Sequence, residues 1–121
     1  MTPDEAVATY GAAWSEADEA KRRELLDEAW ADDGTYLDPT GRADGRDALV
    51  THIAGFLQMM PGHRIDLASG VDAHDGYVRF AWKMVGPDEQ TVMEGVDFGT
   101  LADDGKIKSI VGFFGPWPEL S

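Results

Sequence analysis

Apolar residues recur at helical spacing through the first half of the chain and alternate with polar ones through the second half. "TPDE" at 2–5 reads as a capping box: Thr2 as the N-cap, Pro3 at the first helical position and Glu5 reaching back. Val7, Tyr10 and Trp14 then share one face of a first helix. Asp18 can cap a second helix that carries Leu25, Leu26, Ala29 and Trp30. "ADDG" at 31–34 predicts the end of that helix, with Gly34 suited to a left-handed terminal position. "TYLDP" predicts a short strand. "GRDALVTHIAGFLQMMPG" predicts a third helix with Leu49, Ile53, Phe56 and Met60 on one face, stopped by Pro61 and Gly62.

Beyond residue 62 the pattern changes. The turn signals "HDG" (74–76), "GPDE" (86–89) and "ADDG" (102–105) separate four strand-like runs, roughly 63–72, 77–86, 90–101 and 106–114. The second run alternates cleanly, with Val78, Phe80, Trp82 and Met84 on one face and Tyr77, Arg79 and Lys83 on the other. An order of helix, helix, strand, helix and then four strands predicts an α+β domain spanning 1–121. A sheet curled around the three helices makes a cone, open at one end and apolar inside, of the kind that holds small molecules.

Composition narrows the functions open to such a cone. The 121 residues carry a net charge of −13, which repels phosphate backbones and anionic lipid and so argues against nucleic-acid and membrane partners. No apolar run approaches a membrane span and the N-terminus has no signal-peptide order, so a cytoplasmic protein is expected. The chain has no cysteine, and His52, His63 and His74 stand without ligand spacing, so no metal site and no cofactor are expected.

Three polar residues could enter the cone. Asp38 precedes Pro39, where it is either a turn aspartate bonding nearby amides or a base at a pocket rim. Tyr10 lies on the apolar stripe of the first helix, either as a core tyrosine or as a hydroxyl donor. Asp97 stands mid-strand in "MEGVDFGTL", facing either solvent or the pocket, with Gly95 and Gly99 leaving room on its own face. His52, beside the core position Ile53, is either a surface histidine or a neighbour of the cavity. Trp14, Trp30, Phe56, Phe80, Trp82, Met84, Phe113 and Phe114 are the candidate apolar wall, some of them core alone.

The segments "WADDGTYLDPTGRADGRDAL" and "MEGVDFGTLADDGKIKSIVGFFG" resemble the NTF2-like superfamily, the cone-shaped α+β domains that include SnoaL-type polyketide cyclases and ketosteroid isomerase. The resemblance covers nearly the whole chain. Its site motifs are most similar to ketosteroid isomerase, which implies Asp38 as base, Tyr10 as a hydroxyl donor and Asp97 as a protonated acid. A small hydrophobic ketone would be the substrate and a double-bond shift the reaction. The resemblance also implies a homodimer formed through the sheet. One departure is visible: the further tyrosine expected on the inner face of the third helix is absent, and Ile53 stands there. A SnoaL-like binding protein without chemistry is the alternative.

Overall fold

The computed structural model describes all 121 residues, Met1–Ser121, as three helices against one seven-stranded sheet. Helix α1 (Pro3–Ala13) starts at the capping box, in which the Glu5 N–H donates to Thr2 Oγ1 at 3.1 Å and the Thr2 N–H to Glu5 Oε1 at 2.8 Å. Helix α2 (Glu19–Ala29) starts at Asp18, whose carboxylate accepts the Lys21 N–H. Helix α3 (Arg46–Met59) starts at Gly45, whose φ of 90° suits glycine.

The strands are β1 (Trp30–Asp38), β2 (Gly41–Asp44), β3 (Arg64–Leu67), β4 (Asp72–His74), β5 (Tyr77–Val85), β6 (Thr91–Leu101) and β7 (Ile107–Phe114). Their order is β2-β1-β7-β6-β5-β3, with β4 also on β5. All pairs are antiparallel except β1 with β7, which run parallel. The helices cover one face, and Val7, Leu26, Trp30, Leu49, Ile53, Ile107 and Ile110 form the fully buried centre. No helix is long and apolar enough to cross a membrane.

Three expectations differ from this arrangement. "ADDG" at 31–34 is not a helix-ending turn: Trp30 is already extended, and β1 runs through Asp32, Asp33 and Gly34 with a register shift against β7. A bulge there accommodates the two exposed aspartates. Gly34 is needed because a Cβ would overlap the indole of Trp30. The short strand expected at "TYLDP" does not stand alone: "GRAD" at 41–44 is strand β2, hairpinned onto β1 with Asp38 paired to Gly41. The run 63–72 breaks into β3 and β4, separated by residues 68–71, because both lie along the same edge of β5.

Candidate active site

Helix α1, the end of β1 and the middle of β6 each send one polar side chain into a single cavity of about 960 Å³ between the helices and the sheet. These side chains are Tyr10, Asp38 and Asp97. Of the predicted wall, Trp14, Phe56, Phe80, Trp82, Met84 and Phe114 line the cavity. Trp30 and Phe113 do not. Trp30 is sealed in the core, its ring stacked at 5.4 Å on that of Tyr10. Phe113 lies on the outer face of the sheet, 58% exposed, because the inward positions of β7 are Ile110, Gly112 and Phe114. Phe114, the inward one of the two, meets the Trp82 ring edge-on at 5.6 Å.

The space that Gly95 and Gly99 leave beside Asp97 is filled by the protein itself. A Cβ on Gly95 would overlap the Trp82 ring, and one on Gly99 the Ile110 side chain. The Trp82 indole N–H thereby reaches Asp97 Oδ1 at 3.0 Å. Burial dominates the electrostatics of this carboxyl and raises its pKa to about 7. The Trp82 hydrogen bond opposes that rise, and the negative charge of Asp38 adds to it.

Asp38 is a turn aspartate that also lines the cavity. Its Oδ1 is a turn acceptor, taking the Thr40 N–H at 2.7 Å, the Thr40 hydroxyl at 2.6 Å and the Gly41 N–H at 3.1 Å. Its Oδ2 takes the Tyr36 hydroxyl at 2.5 Å inside the site. Burial pushes its pKa up, but the hydrogen bonds from Thr40 and Tyr36, with the charge of His52, outweigh burial and hold it below the usual carboxylate value. Tyr10 is fully enclosed. Burial first, and then the negative charge of Asp97, keep its phenol protonated, with the nearby Trp14 side chain acting the other way. Two carboxyls are thus driven in opposite directions within one cavity, which gives one group that stays ionised and one that holds a proton.

Tyr36 and Thr40 were not expected from sequence as site residues, whereas His52, expected as a surface histidine or a neighbour of the cavity, lines it. Tyr36 had a readable signal: it lies two residues before Asp38 on the same strand and therefore on the same face. It supplies a hydroxyl to the site from β1, where the family resemblance had placed the second tyrosine on α3. No group of three or more His, Asp and Glu side chains is placed to hold a metal ion.

The SnoaL-like domain matches residues 7–110 of the chain. Among solved structures, a protein of the SnoaL-like family from Agrobacterium tumefaciens, provisionally named an isomerase, is 36% identical. It aligns with a TM-score of 0.89 over 96% of this chain and 100% of its own. A provisionally named SnoaL-like polyketide cyclase from Jannaschia sp. is 18% identical, with a TM-score of 0.68 over 94% of this chain and 89% of that one. An NTF2-like protein of unknown function from Cytophaga hutchinsonii is 14% identical, with a TM-score of 0.69 over 96% and 92%. The last two share the fold. No curated protein matches the chain.

Proposed function

The chain belongs to the SnoaL-like domain family of the NTF2-like superfamily, and from that premise we propose that it catalyses proton transfer on a small hydrophobic ketone, in the manner of ketosteroid isomerase. The observation that carries the reading is the convergence of Tyr10, Asp38 and Asp97 on one apolar cavity, with the two carboxyls shifted in opposite directions. Asp38, ionised, removes a proton from the carbon beside a carbonyl and returns it at another carbon. Charge builds on the carbonyl oxygen. The Tyr10 hydroxyl and the protonated Asp97 donate to it. Because Asp97 Oδ1 accepts the Trp82 N–H, Oδ2 is the oxygen that carries the proton in this reading. The apolar wall and the net charge of −13 both favour a neutral substrate over an anionic one.

The test is enone absorbance with Δ5-3-ketosteroids and smaller β,γ-unsaturated ketones, comparing the wild type with Asp38→Asn. Activity that survives Asp38→Asn unchanged overturns the reading. A second reading, ligand binding without chemistry, is favoured by the four donors already engaging the Asp38 carboxylate. Trp14 and Trp82 line the cavity, so tryptophan fluorescence reports occupancy in either case.

The same reading includes a cytoplasmic location and a homodimer formed through the outer face of the sheet. There Leu37 pairs with Val111 and Val111 with Phe98, forming one exposed apolar row, and Phe113 packs edge-on to Phe98 at 6.0 Å. Sedimentation at micromolar concentration tests the dimer, and a wild-type monomer sinks it.

A further inference from the structure

We propose that His52 is the second proton carrier of this site, taking a proton from Asp38 and exchanging it with solvent at the cavity mouth. The inference rests on the proton-transfer reading above and adds a residue and a route to it.

The geometry makes the route specific. Asp38 Oδ1 is saturated by the Thr40 hydroxyl and the Thr40 and Gly41 amides, whereas Oδ2 accepts only the Tyr36 hydroxyl. The free lone pair of the carboxylate is therefore on Oδ2. His52 Nε2 faces that oxygen at 3.8 Å. A side-chain movement of roughly 1 Å brings the pair into hydrogen-bond range.

The imidazole is held for this approach. Its ring lies 5.2 Å from that of Tyr36 and meets the edge of Trp14 at 6.0 Å. Its opposite side rests on Gly41, where a Cβ would stand 3.5 Å from His52 Cε1 and 4.0 Å from Nδ1. The Asp38 side chain is 5% exposed and that of His52 is 22% exposed, so the histidine is the link from a buried carboxylate to solvent. The titratable groups around the pair are Tyr36 on the same strand as Asp38 and, in the same cavity, Tyr10, Asp66 and Asp97.

The steps balance without any co-reactant. The substrate C–H bond breaks, its electron pair moves toward the carbonyl oxygen, and an O–H bond forms on Asp38 Oδ2. That O–H then breaks as Nε2–H forms on a neutral imidazole whose Nε2 lone pair is free, leaving an imidazolium beside a carboxylate. The imidazolium exchanges its proton with solvent and returns one to Asp38, which delivers it to the second carbon.

The experiment has two readouts, applied to His52→Gln and His52→Asn. The first follows the ¹³C signal of the Asp38 carboxyl against pH and needs no substrate. Loss of the imidazole is expected to move the Asp38 titration upward, because its positive charge helps hold the carboxylate ionised. An unmoved titration in both variants overturns the pairing. The second runs the ketone isomerisation in D₂O. The wild type is expected to wash solvent deuterium into product, and the variants to carry the original proton across. Equal wash-in overturns the relay. If no ketone is turned over by the wild type, the isomerase reading fails, and the carboxyl titration alone decides whether His52 and Asp38 act as a pair.

Discussion

Asp38 and Asp97 stand on one transverse row of the sheet with only Gly112 between them. Asp97 pairs with Gly112, and the parallel pairing of Leu37 with Val111 sets Asp38 beside the same glycine. Two strand spacings separate the carboxyl-bearing backbones, roughly 10 Å, and both side chains lean over the gap. A Cβ on Gly112 would sit 2.8 Å from Asp97 Oδ1 and 3.5 Å from Asp38 Cβ. Gly112→Ala is therefore expected to push Asp97 off its hydrogen bond with Trp82, at a cost of about 1–3 kcal/mol from overpacking. Urea unfolding measures that cost. Turnover should fall more steeply than stability does, and full turnover in the folded variant would refute this account of the row.

The two carboxyls set opposite limbs of a pH profile. The proposed reaction needs Asp38 ionised, with its pKa below the ordinary 3.8, and Asp97 protonated, with its pKa raised to about 7. Activity is expected to hold from about pH 5 to pH 6 and to fall as pH rises through about 7. In Asp97→Asn, which stays neutral, kcat/KM drops but the alkaline limb disappears. An unchanged alkaline limb in that variant would assign it to another group.

The raised pKa of Asp97 also has a stability sign. The folded protein holds this proton more tightly than the unfolded chain does, so the stabilisation is complete below the unfolded value and is lost as pH rises toward the folded one. A rise from 3.8 to about 7 corresponds to about 4 kcal/mol lost across that window. Asp97→Asn should flatten this slope and be the more stable protein at pH 8. Urea midpoints at pH 4, 6 and 8 for both proteins measure it, and parallel curves would remove the effect.

The helices and the turns were legible because each rests on local rules: a capping box at Thr2, positive-φ turns at Gly76 and Gly105, and an alternation that ran cleanly through β5. Local rules left Tyr10, Asp38 and Asp97 open one by one, and only the family resemblance grouped them. What was hidden depended on partners far away in sequence. Trp30 looks like cavity wall until β1 curls over it, and Gly34 reads as a helix stop until the indole behind it is seen. Phe113 and Phe114 are adjacent aromatics, and only the register Asp97 to Gly112 decides which one faces in. His52 sits one residue from the apolar stripe of α3. Its role came from the turn after Asp38, which no helical periodicity could reveal.

Tyr36→Phe isolates the shortest single bond at the base. The mutation removes the 2.5 Å hydroxyl contact to Asp38 Oδ2 and keeps the ring against His52 and Trp14. A hydrogen bond to a charged acceptor contributes about 1.5–3 kcal/mol, and the loss should appear at pH 7. Because Asp38 has a depressed pKa, the difference from wild type is expected to shrink as pH falls through that value, where the carboxylate is protonated in both proteins. Stability curves taken in steps from pH 7 down through the acid titration of the Asp38 carboxyl, followed by its ¹³C signal, measure this. A difference that stays the same once that carboxyl is protonated would make Tyr36 a packing residue only.

Trp82→Phe asks which force governs the acid. The indole N–H favours the ionised form of Asp97, and burial disfavours it. Phenylalanine keeps an aromatic ring over Gly95 and deletes the donor, so burial acts unopposed and the Asp97 pKa is expected to rise further above about 7. The alkaline limb of kcat/KM should move up with it, and so should the ¹³C titration of the Asp97 carboxyl. The smaller ring also leaves room beside the carboxyl, and solvent entering there would pull the value down. The direction of the shift therefore separates the two effects: upward if the lost donor dominates, downward if the shield over Asp97 has opened. A downward shift would refute the prediction and identify the packing of Trp82, rather than its hydrogen bond, as what tunes Asp97.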